Sequence, residues 1–316
     1  GIVKDSAYYR RYHQVWLLRQ EEIDHHAQHF ADEDYIMPWA IASWPGNGNT
    51  ANGEAARLAP FADVDGNELY EPASGDYPLI RGEQAAYWML HGELDEEGGL
   101  DPLRFDMYVM VYAYGEHTMD EDLRNTVFTN FRVINRSGLA YDSLRFGIYG
   151  DIDLGDYNDD LAECDTTRNL FFAYNADDDD TDIQGIQGYG AQPPSAGIKF
   201  LNQQMTAHRA WHASADPNFD FADGINGTLD GQPFTDPGYA THFQYPGGAW
   251  SDVFDPGIPE RRAVGSAGPF TWNADDTLCF DVAVIYDRAA SGGPYASAQQ
   301  MKQRADRVQL WYDAQD

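Results

Sequence analysis

The chain has 316 residues, of which 43% are hydrophobic and 14% aromatic, so it holds enough apolar material for a large core. Its 52 acidic residues outnumber its 20 lysines and arginines and give a formal net charge of −32. A surface this negative repels nucleic acid and anionic lipid, which excludes both as expected partners. No stretch approaches the roughly 20 apolar residues of a membrane span, so no membrane insertion is expected.

The first predicted element is a helix over residues 6–30, where Val15, Leu18 and Ile23 recur near helical spacing. A second helix is predicted near the other end of the chain, over residues 297–312, from apolar residues at the same period. Both predictions depend on periodicity and on good helix formers between the apolar positions.

An irregular segment rich in Gly, Asn and Pro follows the first helix, over residues 38–60. Trp39 and Trp44 lie within it, which favours ordered loops because disordered segments are poor in aromatic residues. We interpret the two rings as core anchors. Stacking on a glycan is the alternative for the same rings.

From residue 84 onwards the pattern changes to strands. Short runs rich in aromatic and β-branched residues are separated by Gly, Asn, Asp and Pro turn signals. The predicted strands are residues 85–90, 105–114, 125–135, 144–150, 171–174, 196–201, 263–271 and 277–286. We interpret the turn at residues 135–138 as joining strands 125–135 and 144–150 in a hairpin.

These elements predict a mainly β fold, an antiparallel β-sandwich of the jelly-roll type with long irregular loops and a helix near each terminus. We expect a single large domain over residues 1–316. In this interpretation residues 1–80 pack on a sandwich formed by residues 84–316, and residues from about 202 to 260 form a loop-rich insertion.

A first acidic loop follows the irregular segment and predicts a calcium site. Oxygen-bearing side chains recur in it at short spacing, at Asp63, Asp65, Asn67 and Glu71. The loop is not an EF-hand, because Gly66 stands at the fourth position instead of the sixth and Ser74 replaces the bidentate glutamate. We therefore predict a compact calcium turn of another kind, with Asp76 as a further candidate ligand.

A second acidic loop begins where the predicted strand 144–150 ends. Its candidate ligands are Asp151, Asp153, Asp156, Asn158 and Asp160. Clustered carboxylates repel one another unless a cation neutralises them, and hard oxygen ligands suit Ca²⁺. This loop also departs from the EF-hand pattern, and a solvated acidic loop is the alternative to structural calcium.

A third acidic run covers residues 177–182. Such runs are usually solvated and mobile, and we interpret this one in that way, with a weak ion site as the alternative. The two cysteines, Cys164 and Cys279, are too few for a disulfide scaffold. The sequence leaves open whether they pair or stay as buried thiols.

Several motifs in a characteristic order resemble a known class of exported proteins. They are Trp-Pro-Gly-Asn-Gly-Asn from Trp44, Asp-Val-Asp-Gly-Asn-Glu from Asp63, Asn-Thr-Val-Phe from Asn125, Val-Ile-Asn-Arg-Ser from Val133, Asp-Ile-Asp-Leu-Gly from Asp151, Tyr-Gly-Ala-Gln-Pro-Pro from Tyr189 and Gly-Pro-Phe from Gly268. The chain resembles the large ectodomain of secreted and surface proteins of the Bacteroidota that use type IX secretion. The resemblance implies a place outside the cell and no assigned activity. The C-terminal sorting domain of that class is not found after Tyr312, which implies cleavage or a longer parent chain.

Catalytic patterns are weak in this sequence. It has no Gly-x-Ser-x-Gly elbow, and neither cysteine has an adjacent histidine. His208, His212 and His242 are candidates for a metal site; the spacing of the first two permits it, but nothing selects that arrangement. With so many carboxylates, any pair of them is uninformative about a glycosidase.

We therefore expect a secreted or cell-surface, calcium-stabilised module without enzymatic activity, acting in adhesion, surface assembly or glycan contact. The expected partners are surface glycans, other surface proteins or further copies of the chain. One alternative is a subunit of an extracellular filament or surface layer. The other is a secreted hydrolase acting on glycans.

Overall fold

A computed structural model describes residues 6–94, 103–212, 228–229, 232–233, 250–251 and 261–315. The fold is mainly β, with 42% of the described residues in strands against 22% in helices, and its sheets are antiparallel. This confirms the predicted fold class, including a helix near each end of the chain. None of the helices in these ranges is both long and apolar enough to cross a membrane.

The helices and strands follow one another in chain order. The helices are α1 (Ser6–Tyr12), α2 (Gln20–His29), α3 (Trp39–Ala42), α4 (Glu121–Arg124) and α5 (Gly293–Asp313). The longer strands are β1 (Val15–Arg19), β4 (Gln84–Leu94), β5 (Leu103–Ala113), β6 (Thr126–Asn135), β7 (Tyr141–Gly150), β8 (Asp160–Asp165), β9 (Leu170–Asn175), β12 (Ser195–Phe200), β13 (Met205–His212), β17 (Arg261–Trp272) and β18 (Thr277–Asp287). The two-residue strands are β2 (Phe61–Ala62), β3 (Tyr77–Pro78), β10 (Asp179–Asp180), β11 (Gly190–Ala191), β14 (Thr228–Leu229), β15 (Gln232–Pro233) and β16 (Trp250–Ser251).

The chain forms two compact units. Unit 1 comprises residues 1–140 and 272–279, and unit 2 comprises residues 141–271 and 280–316. The single domain expected over residues 1–316 stays a prediction. Most of the predicted insertion at about 202–260 lies outside the described residues.

In unit 1 the strands lie in the order β1, β4, β5 and β6, each antiparallel to its neighbour. One face of this sheet holds its core, where the buried rings of Trp16, Trp44 and Tyr87 contact one another. The indole N–H of Trp44 donates to the carbonyl of Pro60. The anchoring role predicted for Trp44 is therefore confirmed, whereas Trp39 is 58% exposed.

The predicted helix over residues 6–30 is wrong in its middle. Val15–Arg19 is strand β1, with Trp16 and Leu18 buried and the alternate side chains outside, between the two short helices α1 and α2. Alternation of inward and outward side chains is the strand period. Pairing of β1 with β4 outweighs the local helix preference, as tertiary contacts often do for short segments.

In unit 2 one group of strands lies in the order β18, β12, β9 and β8, and the other in the order β13, β17 and β7. The predicted hairpin between strands 125–135 and 144–150 is wrong, since β7 pairs with β17, more than a hundred residues later in the chain. Helix α5 packs on β12 and β9, and its Arg304 forms a buried ion pair with Asp287. Neither cysteine is in a disulfide: Cys164 is buried and Cys279 is exposed.

Candidate metal centre

The first predicted acidic loop is the turn of a small hairpin in unit 1. Strands β2 and β3 pair through Phe61 with Pro78 and Ala62 with Tyr77. The backbone N–H of Leu79 continues the pairing by donating to the carbonyl of Pro60 at 3.0 Å. We call residues 63–76, which connect the two strands, the acidic hairpin loop.

Asp63 shapes the first part of the acidic hairpin loop. Its carboxylate accepts hydrogen bonds from the backbone N–H groups of Gly66 at 2.8 Å, Asn67 at 3.1 Å and Glu68 at 2.8 Å. Desolvation raises the pKa of this carboxyl, but the three N–H donors and the charge of Arg57 outweigh it, so the pKa is lowered. Asp63 is therefore ionised at neutral pH and is able to bind a cation.

Asp76 closes the acidic hairpin loop from inside. The residue is fully buried, and its carboxylate accepts from the backbone N–H groups of Val64 at 2.8 Å and Glu71 at 2.7 Å. Its carbonyl oxygen lies 3.0 Å from Nε2 of the buried His26. The two carboxylate bonds connect residues 64 and 71 of the loop to the Asp76 side chain.

Asp63, Asp65 and Asp76 each place a carboxylate oxygen within 4.8 Å of the other two. In the described part of the chain, this is the one such group of three His, Cys, Asp or Glu side chains. Calcium binds oxygen ligands at 2.3–2.6 Å, so two oxygens on one ion lie at most about 5 Å apart. The three carboxylates therefore fit one calcium ion, with carbonyl or water oxygens completing its coordination.

The other two predicted ligands of this loop, Asn67 and Glu71, lie beside the group. The Asn67 amide nitrogen donates to Asp65 at 3.0 Å and to Glu71 at 2.6 Å, and its oxygen accepts from the Leu69 N–H at 2.8 Å. Asn67 thus joins two carboxylates through its N–H₂ group. Asp76 replaces Glu71 in the group, because the chain folds back on itself at the β2–β3 hairpin.

The second predicted loop connects β7 to β8 in unit 2. Asp151 accepts from the hydroxyl of Tyr149 at 2.9 Å and pairs with Arg262 at 3.3 Å, so a protein cation balances its charge. Asp153 is exposed. The loop does not bring three carboxylate oxygens within 4.8 Å of one another. Its calcium site stays a prediction.

Asp156 and Asn158 form a local turn in the same loop. Asp156 accepts from both the backbone and the side-chain nitrogen of Asn158, at 3.0 and 2.8 Å. The backbone N–H of Asp156 donates to the carboxylate of Asp180 at 2.7 Å, and Tyr189 N–H donates to the same carboxylate. Asp180 is buried and lies in strand β10, so part of the run predicted to be solvated is ordered protein interior.

Asp160 is the most unusual carboxyl of this loop. It is 2% exposed, and Oδ2 accepts from the backbone N–H of Leu154 at 2.7 Å, whereas Oδ1 has no hydrogen-bond partner in the described structure. Burial raises its pKa to about 8, helped by the charges of Asp159, Asp180 and Asp153. A buried carboxyl of this kind retains its proton at neutral pH unless a cation replaces it.

Gly155 fixes the contact between this loop and Asp180. Its φ is +77°, and a Cβ atom there would lie 2.0 Å from Asp180 Oδ2. We expect Gly155→Ala to lower the free energy of unfolding by about 1–3 kcal/mol from backbone strain, and further from the clash. Gly185→Ala is the matched control, because φ is +86° there and nothing lies within 4 Å of the added atom. Equal losses for the two variants in urea melts would contradict the close contact.

The histidines do not form the alternative metal site within the described residues. His208 is completely buried in β13, neither ring nitrogen has a hydrogen-bond partner, and burial lowers its pKa to about 3. Its side chain contacts the ring of Phe171. His242 and the side chain of His212 lie outside the description.

Two of the depressions described in unit 1 exceed 450 Å³, which is large enough for a small molecule. One, of about 680 Å³, has four acidic residues in its lining: Glu21, Asp24, Glu83 and Glu116. Three of these four side chains are exposed, and a general acid needs burial to hold a proton at neutral pH. The other, of about 460 Å³, is lined without any Asp, Glu or His. It therefore lacks the pair of carboxylates that glycosidases use.

The chain has no match among known families. No protein-family model matches it, and no curated protein matches it. The resemblance to exported Bacteroidota proteins accordingly remains an expectation drawn from the quoted motifs.

Proposed function

We propose that this protein is a calcium-stabilised module without enzymatic activity, displayed or released outside the cell for adhesion, surface assembly or glycan contact. The observation that supports this proposal is the convergence of Asp63, Asp65 and Asp76 in the acidic hairpin loop. Three carboxylates of like charge at this separation repel one another, and a divalent cation between them removes that repulsion.

The position of the group supports a structural role for the ion. Asp76 is buried and bonded to the loop backbone, whereas Asp65 is exposed. An ion bound there contacts solvent on one side and the base of the loop on the other. Open sites of this kind in extracellular modules bind calcium at about 0.1–1 mM, a range that suits an exterior with millimolar calcium.

Calcium titration tests the proposal directly. We expect a saturable heat of binding, and calcium at ten to a hundred times the dissociation constant should stabilise unit 1 by about 1.4–2.7 kcal/mol. This corresponds to a rise of several degrees in the melting temperature. The measurements are isothermal titration calorimetry and thermal melts in EDTA and in calcium.

Asp65→Asn should remove most of this response because it takes one carboxylate from the group. Glu116→Gln is the matched control, since it removes one exposed negative charge elsewhere in unit 1. An unchanged melting temperature in calcium, with no heat of binding, would reject the structural ion. If both variants lost the calcium response equally, that response would be due to the overall negative charge of the protein.

A further inference from the structure

A pocket of about 460 Å³ lies in unit 1, on one face of the sheet formed by β4, β5 and β6. Its floor includes Tyr87, Tyr108 and Arg132, and its rim is formed by residues 57–61 and 79–81. Residues opposite one another on antiparallel strands point to the same face, and the pairing of Tyr108 with Arg132 places both on this floor. The volume lies within the range of small-molecule sites.

The pocket concentrates positive charge in a strongly acidic protein. Arg57, Arg81 and Arg132 all line it, although the whole chain has only 20 lysines and arginines against 52 acidic residues. Among the described residues, Arg57 and Arg132 form no ion pair with a carboxylate. Arg57 lies 4.0 Å from the ring centre of Phe61, and Arg132 lies 5.5 Å from that of Tyr108. A guanidinium stacked on a ring keeps its N–H groups directed outward in its plane.

The ring of Tyr108 belongs to the floor of the pocket, below the Arg132 guanidinium, but its hydroxyl is buried without accessible surface. Tyr108 is 2% exposed, and its hydroxyl forms no hydrogen bond within the described structure. Burial raises the pKa of this hydroxyl to about 12, and its charged neighbours Asp106 and Arg136 do not line the pocket. The charged donors of the pocket are therefore its arginine guanidinium groups.

The rest of the lining is mostly apolar. It includes Leu58, Pro60, Leu79, Ile80 and Met110. The pocket thus offers guanidinium donors to one end of a ligand and hydrocarbon to its remainder.

We propose that this pocket binds a small organic anion, with a carboxylate head that accepts from Arg132 and Arg57 and a less polar body against the apolar lining. Arginine binds carboxylates through two parallel N–H donors, which makes charge and geometry complementary. Such a carboxylate has two sources, a sugar acid at the end of a glycan or a free aromatic acid. The proposal goes beyond the calcium-stabilised module and does not depend on it, so the test is made both in EDTA and in calcium.

The test uses benzoate, galacturonate and inorganic sulfate as probes, with benzyl alcohol and galactose as their neutral counterparts. Binding is measured by saturation-transfer NMR and by calorimetry on the full chain. We expect at least one carboxylate to bind saturably at millimolar concentration, and its neutral counterpart to bind at least about tenfold more weakly. Preference for galacturonate identifies a sugar acid as the source, and preference for benzoate identifies an aromatic acid.

Variants then assign the binding to the pocket. Arg132→Gln and Arg57→Gln should each weaken carboxylate binding about tenfold or more. Arg124→Gln, on the exposed helix α4, is the matched control and should bind as the unaltered protein does. Circular dichroism confirms that each variant is folded.

Three outcomes would overturn the proposal. The first is the absence of saturable binding for both carboxylates. The second is binding that stays unchanged in both Arg57→Gln and Arg132→Gln. The third is sulfate binding as tightly as either carboxylate, which would mean that the apolar lining contributes nothing.

Discussion

Asp76→Ala is expected to lower the free energy of unfolding by about 2–4 kcal/mol in EDTA and to abolish the response to calcium. The loss in EDTA arises because the substitution leaves two backbone N–H groups, those of Val64 and Glu71, without their acceptor beneath the loop. The loss of the calcium response arises because Asp76 is the buried member of the group. Urea melts measure the first effect and calorimetry the second.

Asp65→Ala separates calcium binding from the hydrogen bonding that stabilises the loop backbone. The Asp65 side chain is exposed and, among the described residues, bonds only to Asn67, so in EDTA the free energy of unfolding should change by no more than about 0.5 kcal/mol. Calcium binding should nevertheless be lost, as in Asp76→Ala. Equal destabilisation of the two variants in EDTA would contradict the structural role given to Asp76.

Asp160→Asn is expected to stabilise the protein at high pH. The folded-state pKa of Asp160 is about 8, whereas the pKa of an aspartate in an unfolded chain is about 3.9. Between these two pH values the folded state keeps a proton that the unfolded state releases, so this group lowers stability progressively as pH rises from about 4 to 8. Asparagine mimics the neutral acid and removes this dependence of stability on pH. In EDTA at pH 8 we expect a gain of roughly 2–5 kcal/mol.

The measurement is the free energy of unfolding by urea at a series of pH values. Asp142→Asn, an exposed position on β7, is the control and should leave the slope unchanged. If the free energy of unfolding of the wild type and of Asp160→Asn changed in the same way between pH 4 and 8, the raised pKa of Asp160 would be contradicted. Repeating the series in calcium also tests the predicted site at residues 151–160, because an ion bound there replaces the proton and removes the fall in stability.

Most of the long strands were predictable because their signal is local. Strands β5, β6 and β18 each contain runs of aromatic and β-branched residues, and their positions agree with the sequence to within a few residues. Strand β1 was not predicted, because five alternating residues between two helical stretches also satisfy a helical spacing. The pairing of β7 with β17 was not predictable either, since no local feature encodes a partner that distant in the chain.

The candidate site was predictable only in part. Asp63 and Asp65 stand out as clustered carboxylates after a glycine-rich segment, and they do converge. The third member, Asp76, was a further candidate from the sequence, but the hairpin brings it into the place predicted for Glu71, which the pattern of acidic residues does not reveal. Asp180 was hidden in a run of similar aspartates, where only the folded chain distinguishes the buried one. The pocket of about 460 Å³ is lined by Arg57, Arg81 and Arg132. These residues are far apart in the sequence, so their proximity could not be predicted from it.

The β2–β3 hairpin has a consequence for cooperativity. The acidic hairpin loop is its turn, and the pocket rim residues Pro60 and Leu79 are its open end, joined by a backbone hydrogen bond. A cation that orders the turn therefore also restricts the rim, and an anion held by the rim restricts the turn. Thermodynamic linkage makes such an effect reciprocal, so each ligand would change the affinity of the other by the same factor.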